Sequence, residues 1–118
     1  MAHNRWEVEF YQTVKGRCPT DKFISSLPKN DVVYILNGFE QLEEHGDRLT
    51  RPQAAPLGGG LWELRVRVRK VQYRFFYFFF VNRKCVVTHG IKKKGDTKRE
   101  VAKARIYMKE FIDRHSRR

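Results

Sequence analysis

The chain has 118 residues, 41% hydrophobic and 32% charged, with a formal net charge of +12. That length holds one domain around one core, expected to span 1–118, and the hydrophobic share excludes a disordered chain. No apolar run approaches the ~20 residues of a membrane span, and "MAHNRWEVEF" lacks the apolar region of a secretory signal, so a cytoplasmic protein is expected. Cys18 and Cys85 fit no metal-ligand spacing and read as reduced thiols.

"RWEVEFYQT" alternates, with Trp6, Val8 and Phe10 on one side and Arg5, Glu7, Glu9 and Tyr11 on the other. That is the pattern of a half-buried strand. "CPTDKFISSLPKNDVVYILNGFEQLEEHGDRL" predicts two helices. Thr20 or Asp21 can cap the first, and Pro28 suits the first turn of the second. Val32, Ile35, Leu36, Phe39 and Leu42 form one apolar stripe, ended by Gly46. "TRPQAAPLGGG" reads as a loop.

"LWELRVRVRK" alternates again, with Trp62, Leu64, Val66 and Val68 opposite Glu63, Arg65, Arg67 and Arg69. A tight turn near Val68–Lys70 leads into "VQYRFFYFFFV", and "KCVVTHGI" is the next strand. A closing helix follows, with Thr97 as N-cap and Glu100 as its capping-box partner. The expected fold is α+β, in the order β-α-α-β-β-β-α, with helices packed on a small antiparallel sheet of about four strands. The first strand joins this sheet at one edge. The aromatic run, Phe75 to Phe80, could stack on nucleic-acid bases. An exposed cluster of that size would aggregate, so the rings are read as core on both faces of the sheet.

Charge is unevenly placed. Residues 1–60 hold seven Lys/Arg and eight Asp/Glu, a net of −1. Residues 61–91 hold seven and one, and residues 92–118 eleven and four, giving +6 and +7. A polyanionic partner follows, most simply nucleic acid. If the turn pairs Arg67 with Lys70, Arg65 with Gln72 and Glu63 with Arg74, then Arg65, Arg67 and Arg74 share one face. Three guanidiniums there need an anion, and phosphate suits their bidentate geometry. Glu63 could instead pair with Arg74. His89, near the end of its strand, is a candidate general base or acid, and Lys92, Lys93 and Lys94 follow it. These residue types suffice for attack of a ribose 2′-hydroxyl on its neighbouring phosphate. No acidic cluster suggests a metal, and no cofactor is expected. Besides Glu63, Asp96 is the one acid expected near this surface.

"PLGGGLWELRVR", "YRFFYFF", "VVTHGIKKK" and "TKREVAKAR", in that order, resemble the HigB-like branch of the RelE/ParE toxin superfamily, which includes phage-derived members. The resemblance implies a type II toxin–antitoxin toxin that cleaves mRNA on the ribosome; together with the lack of an acidic cluster, a metal-independent endoribonuclease is expected. Its implied partners are mRNA, the ribosome and a cognate antitoxin of the helix-turn-helix DNA-binding kind. By position it implies Arg65, Arg74, Lys93 and Lys94 at the phosphate. His89 completes the expected catalytic set, with Arg67, Arg69, Lys92, Lys98 and Arg99 as further RNA contacts. The stretch Gly95–Thr97 is shorter than the family's loop and lacks its proline. Two alternatives share the fold: a ParE-like inhibitor of a protein such as DNA gyrase, and a degenerate phage-derived member that only binds antitoxin or nucleic acid.

Overall fold

A computed structural model describes residues 5–116. Its elements are β1 (Glu7–Phe10), α1 (Pro19–Ser25), α2 (Lys29–His45), a 3-10 turn at Gly46–Arg48, β2 (Ala54–Gly58), β3 (Leu61–Val68), β4 (Val71–Phe80), β5 (Lys84–Lys92) and α3 (Lys98–His115). The strands form one five-stranded sheet in the order β1-β5-β4-β3-β2. The fold is α+β, as expected, but the sheet is mixed, because β1 runs parallel to β5. The remaining pairings are antiparallel.

The fifth strand is β2, within the stretch expected to be a loop. Ala54 and Ala55 are fully covered there, and Pro56 opposite Trp62 is tolerated because β2 is an edge. Prolines, glycines and small residues hide such a strand from alternation. The helix caps also differ from the expectation. Cys18 is the N-cap of α1, Thr20 is buried inside its first turn, and Pro28 itself is the N-cap of α2. Gly46 does close α2, at φ +50° with its N–H on the Leu42 carbonyl.

The two faces of the sheet have different covers. Ile35, Phe39 and Leu42 of α2 meet Leu64, Val66, Tyr73, Phe75, Tyr77 and Val87 on one face. Leu36, expected in that stripe, is 53% exposed, since it lies one residue beyond the buried line. On the other face, Phe111 of α3 packs with Tyr11, Phe78 and Val86, and Ala104 with Leu61 and Phe76. The aromatic run is therefore core on both sides. Tyr11, expected on a solvent face, is buried against α3.

The β3–β4 register differs by one residue on each strand. The pairs are Arg65 with Arg74, Arg67 with Gln72 and Glu63 with Phe76. The reason is Val68, which is 4% exposed and stays in the core opposite Val71. The turn therefore falls on Arg69 and Lys70, with Arg69 at φ +57°. Arg65, Arg67 and Arg74 still share the α3 face.

One irregularity decides what else lies on that face. Along β5, Val86 pairs with Phe78 and Val87 with Tyr77, but His89 pairs with Phe76, which leaves Thr88 as a bulge. Strict alternation would put His89 beneath α1 and α2. The extra residue turns it to the α3 face, and re-aiming a side chain in this way is what a bulge does.

Candidate functional site

Two clusters lie side by side on the α3 face. In the first, Glu63 is 2% exposed and holds both arginines. Arg74 Nη1 donates to Glu63 Oε1 at 3.1 Å and Oε2 at 2.9 Å, while its Nη2 donates to Gln72 at 2.8 Å. Arg65 Nε donates to Glu63 Oε2 at 2.9 Å. Arg74 Nε is buried and finds no acceptor among the described residues. The anion that relieves guanidinium repulsion is thus internal. One carboxylate fixes two arginines in place and leaves the trio with a single positive charge.

Arg67 and Lys93 adjoin this cluster along the sheet. Arg67 is exposed, and its Nε donates to the Arg69 carbonyl at 3.2 Å. Lys93 extends the β4–β5 pairing through its backbone N–H to Gln72 at 2.8 Å, and its neighbour Lys94 is exposed. Lys98 and Arg99 are exposed in the first turn of α3, at the positive end of the helix dipole. Lys92 is an exception. It pairs with Tyr73, so the register puts it on the face opposite Arg74.

The second cluster is centred on His89, which is 5% exposed. Its Nε2 lies 3.1 Å from Glu100 Oε1, and its Nδ1 lies 3.2 Å from Thr88 Oγ1. Phe76 and Tyr107 flank the ring. Burial holds the imidazole below its ordinary pKa, and the Glu100 contact works against that shift. Here the capping box gives way. The Thr97 side chain makes no cap bond, Asp96 accepts from the Lys98 N–H instead, and Glu100 is turned to His89. Glu100 is therefore the acid that sequence reasoning missed beside this face. The signal available was only its three-residue offset from Thr97, which also fits a cap.

Beside this pair is a cavity of about 700 Å³ between α1, β5 and α3, into which Arg17, Lys22, His89, Glu100 and Lys103 contribute. Neither Arg65 nor Arg74 lines it. The two clusters are neighbours all the same, because Ile91 lines the cavity and pairs with Arg74. His89 and Glu63 both pair with Phe76, so they stand two strands apart, about 10 Å. Among the described residues, no group of three or more His, Cys, Asp or Glu could hold a metal ion.

A family model covers these elements together: the one described as phage derived protein Gp49-like (DUF891) matches residues 22–110. The chain belongs to the Gp49-like family. This is a family of toxins associated with toxin–antitoxin systems. The matched span holds Glu63, both arginines, the His89–Glu100 pair and the lysine loop, whereas Arg17 of the cavity lies outside it. No curated protein matches the chain. No helix among the described residues of this Gp49-like protein is long and apolar enough to cross a membrane.

Proposed function

We propose that this Gp49-like protein is the toxin of a type II pair and an mRNA endoribonuclease of the HigB-like kind, acting in the cytoplasm on ribosome-associated mRNA. One observation carries the reading. A buried carboxylate fixes Arg65 and Arg74 side by side at a cation-rich sheet end. A protein that only grips another protein has no need of such a convergent phosphate site. Held by one acid, the two arginines keep their outer N–H groups ordered before substrate arrives, which lowers the entropy cost of binding.

In the reaction, the ribose 2′-oxygen attacks the adjacent phosphorus and gives its proton to a base. The P–O5′ bond breaks, and the 5′-oxygen takes a proton from water. The products are a 2′,3′-cyclic phosphate and a free 5′-hydroxyl. Arg65, Arg74, Lys93 and Lys94 neutralise the charge that builds on the phosphate oxygens. Lys98 and Arg99 hold flanking phosphates. An antitoxin, on this reading a helix-turn-helix protein, neutralises the activity.

The test is inducible expression with mapping of mRNA 5′ ends, using Arg65→Ala as control. New ends that appear with the wild type and not with Arg65→Ala support the reading. In extracts, cleavage proceeds in EDTA. Growth arrest with unchanged mRNA ends would sink it and point to a protein target, such as a gyrase.

A further inference from the structure

We propose that Glu100, positioned by His89, is the group that takes the 2′-hydroxyl proton, and that the α1–α3 cavity receives the nucleotide that carries this hydroxyl, next to the scissile phosphate held by Arg65 and Arg74. This rests on the ribonuclease reading above and assigns its acid–base centre.

The first support is a count of protons. The Thr88 hydroxyl has one, and two acceptors compete for it: the Phe76 carbonyl at 3.3 Å and His89 Nδ1 at 3.2 Å. If it goes to Phe76, then Nδ1–H donates to Thr88 Oγ1. Nε2 then contacts Glu100 only with a second proton between them. If it goes to Nδ1, Nε2–H donates to Glu100 directly. Each arrangement keeps a proton on the Nε2–Oε1 line and commits both ring nitrogens. His89 cannot meet substrate with a free nitrogen and acts through Glu100.

The second support is the geometry of Glu100. Its contacts to His89 and to Lys103 Nζ, at 3.1 and 3.7 Å, both use Oε1. Oε2 has no hydrogen-bond partner among the described residues, and the side chain is 30% exposed. One oxygen is thus anchored and the other is open to accept a proton. The charged and titratable groups lining the cavity beside this pair are Arg17, Cys18 and Lys22 from the α1 side and Lys103 and Tyr107 from α3, while Thr88 contacts the ring from the sheet. Arg17, Lys22 and Lys103, lining the same cavity, suit the next phosphate of that nucleotide. The bulge at Thr88 gives the arrangement its origin, since without it His89 would face α2 and Glu100 would have no anchor.

In the chemical step, Glu100 Oε2 accepts the 2′-hydroxyl proton as the O2′–P bond forms. The 5′-oxygen leaves with a proton from water, and Glu100 returns its own to solvent. His89 keeps its proton throughout and holds the carboxylate in place.

The experiment compares wild type, Glu100→Gln, Glu100→Ala and His89→Asn, each full length, on ribosome-bound mRNA, with RNA affinity measured in parallel. Positioned acid–base groups contribute about 10²–10⁴-fold. Glu100→Gln should therefore lose at least about 100-fold in cleavage rate while RNA affinity stays within about twofold, since every phosphate-binding cation remains. Formate should restore part of the rate to Glu100→Ala, a rescue that a purely structural glutamate would not show. His89→Asn should lose less and shift the acidic limb of the pH–rate profile. Cleavage by Glu100→Gln near the wild-type rate and with its pH profile would overturn the proposal and leave the nuclease reading standing. A wild type that arrests growth without cutting RNA would overturn both. If Glu100→Gln melts early, formate rescue of Glu100→Ala at low temperature decides, and failure of rescue counts against the assignment.

Discussion

Arg65 and Arg74 share one carboxylate, yet removing them should cost very different amounts. Glu63 is 3% exposed in its side chain, Arg74 14% and Arg65 27%. Arg74→Ala removes the contacts to both Glu63 oxygens and the bond to Gln72, and leaves the carboxylate with Arg65 on Oε2 alone. Breaking a buried ion pair by deleting one partner costs about 3–5 kcal/mol, and the surviving arginine puts this case near the lower end, about 3 kcal/mol. Arg65→Ala leaves both oxygens bonded to Arg74, so only a partly exposed charge-assisted contact is lost, about 1.5 kcal/mol. Unfolding entropy for 118 residues is roughly 0.25 kcal/mol/K, so the melting temperature falls by about 12 °C for Arg74→Ala and about 6 °C for Arg65→Ala. Circular-dichroism melts and urea titrations at pH 7 measure both. Arg74→Lys should recover only part of the loss, because one ammonium cannot bridge both oxygens as the guanidinium does. If the two alanine variants came within about 0.5 kcal/mol of each other, the clamp would not be organised around Arg74. The asymmetry also governs how function is read. Loss of toxicity in Arg74→Ala mixes binding with stability, whereas Arg65→Ala tests the phosphate contact in a folded protein.

Gly90 lies opposite Phe75, and a Cβ there would fall 2.3 Å from the Phe75 ring. Gly90→Ala should destabilise by about 2–3 kcal/mol, and a urea midpoint unchanged from wild type would show that the ring has room to move. His89 is held below its ordinary pKa by burial, so the unfolded chain binds its proton first as pH falls. The stability that neutral His89 contributes is complete above about pH 6.5 and declines below it. The urea midpoint should therefore drop between pH 7.5 and 5.5, and drop less in His89→Asn; equal drops in both proteins would assign the effect to other groups. RNA affinity should fall steeply with salt, with about 0.7 of log–log slope for each single-strand phosphate neutralised. A slope near zero in filter binding would contradict a phosphate-binding face.

Where one periodicity ran unbroken, the elements were readable. The α2 stripe through Ile35, Phe39 and Leu42, the alternation of β3 and the two-sided aromatic strand β4 all have the predicted form. The failures share a physical cause, which is that position along the chain does not reveal pairing. β2 is built of Ala, Pro, Leu and Gly, and only its bonding to β3 makes it a strand. The turn after β3 could sit at Val68 or one residue later, and core burial of Val68 decides it. Of the site, the arginine pair was legible because alternation places both on one face in either register. The internal carboxylate was visible as Glu63, though its double contact needed the true register. His89 was legible as a candidate, but its pairing with Glu100 was not, since a one-residue bulge sets which face the histidine joins.

That bulge connects the aromatic strand to the chemistry. Phe76 is fully buried, pairs with Glu63 on one side and His89 on the other, and packs under Ala104 of α3. Its carbonyl lies 3.3 Å from the Thr88 hydroxyl oxygen, and its ring lies 5.1 Å from the His89 ring. The two polar clusters are therefore spaced by a rigid aromatic residue rather than by a loop. A site supported by core side chains keeps its geometry when loops move, and small misplacements of reacting groups are costly. The run from Phe75 to Phe80 never touches RNA in this scheme. Its mass of buried ring area keeps β4 flat against both covers, and so keeps Arg74 and His89 on one face, a strand apart.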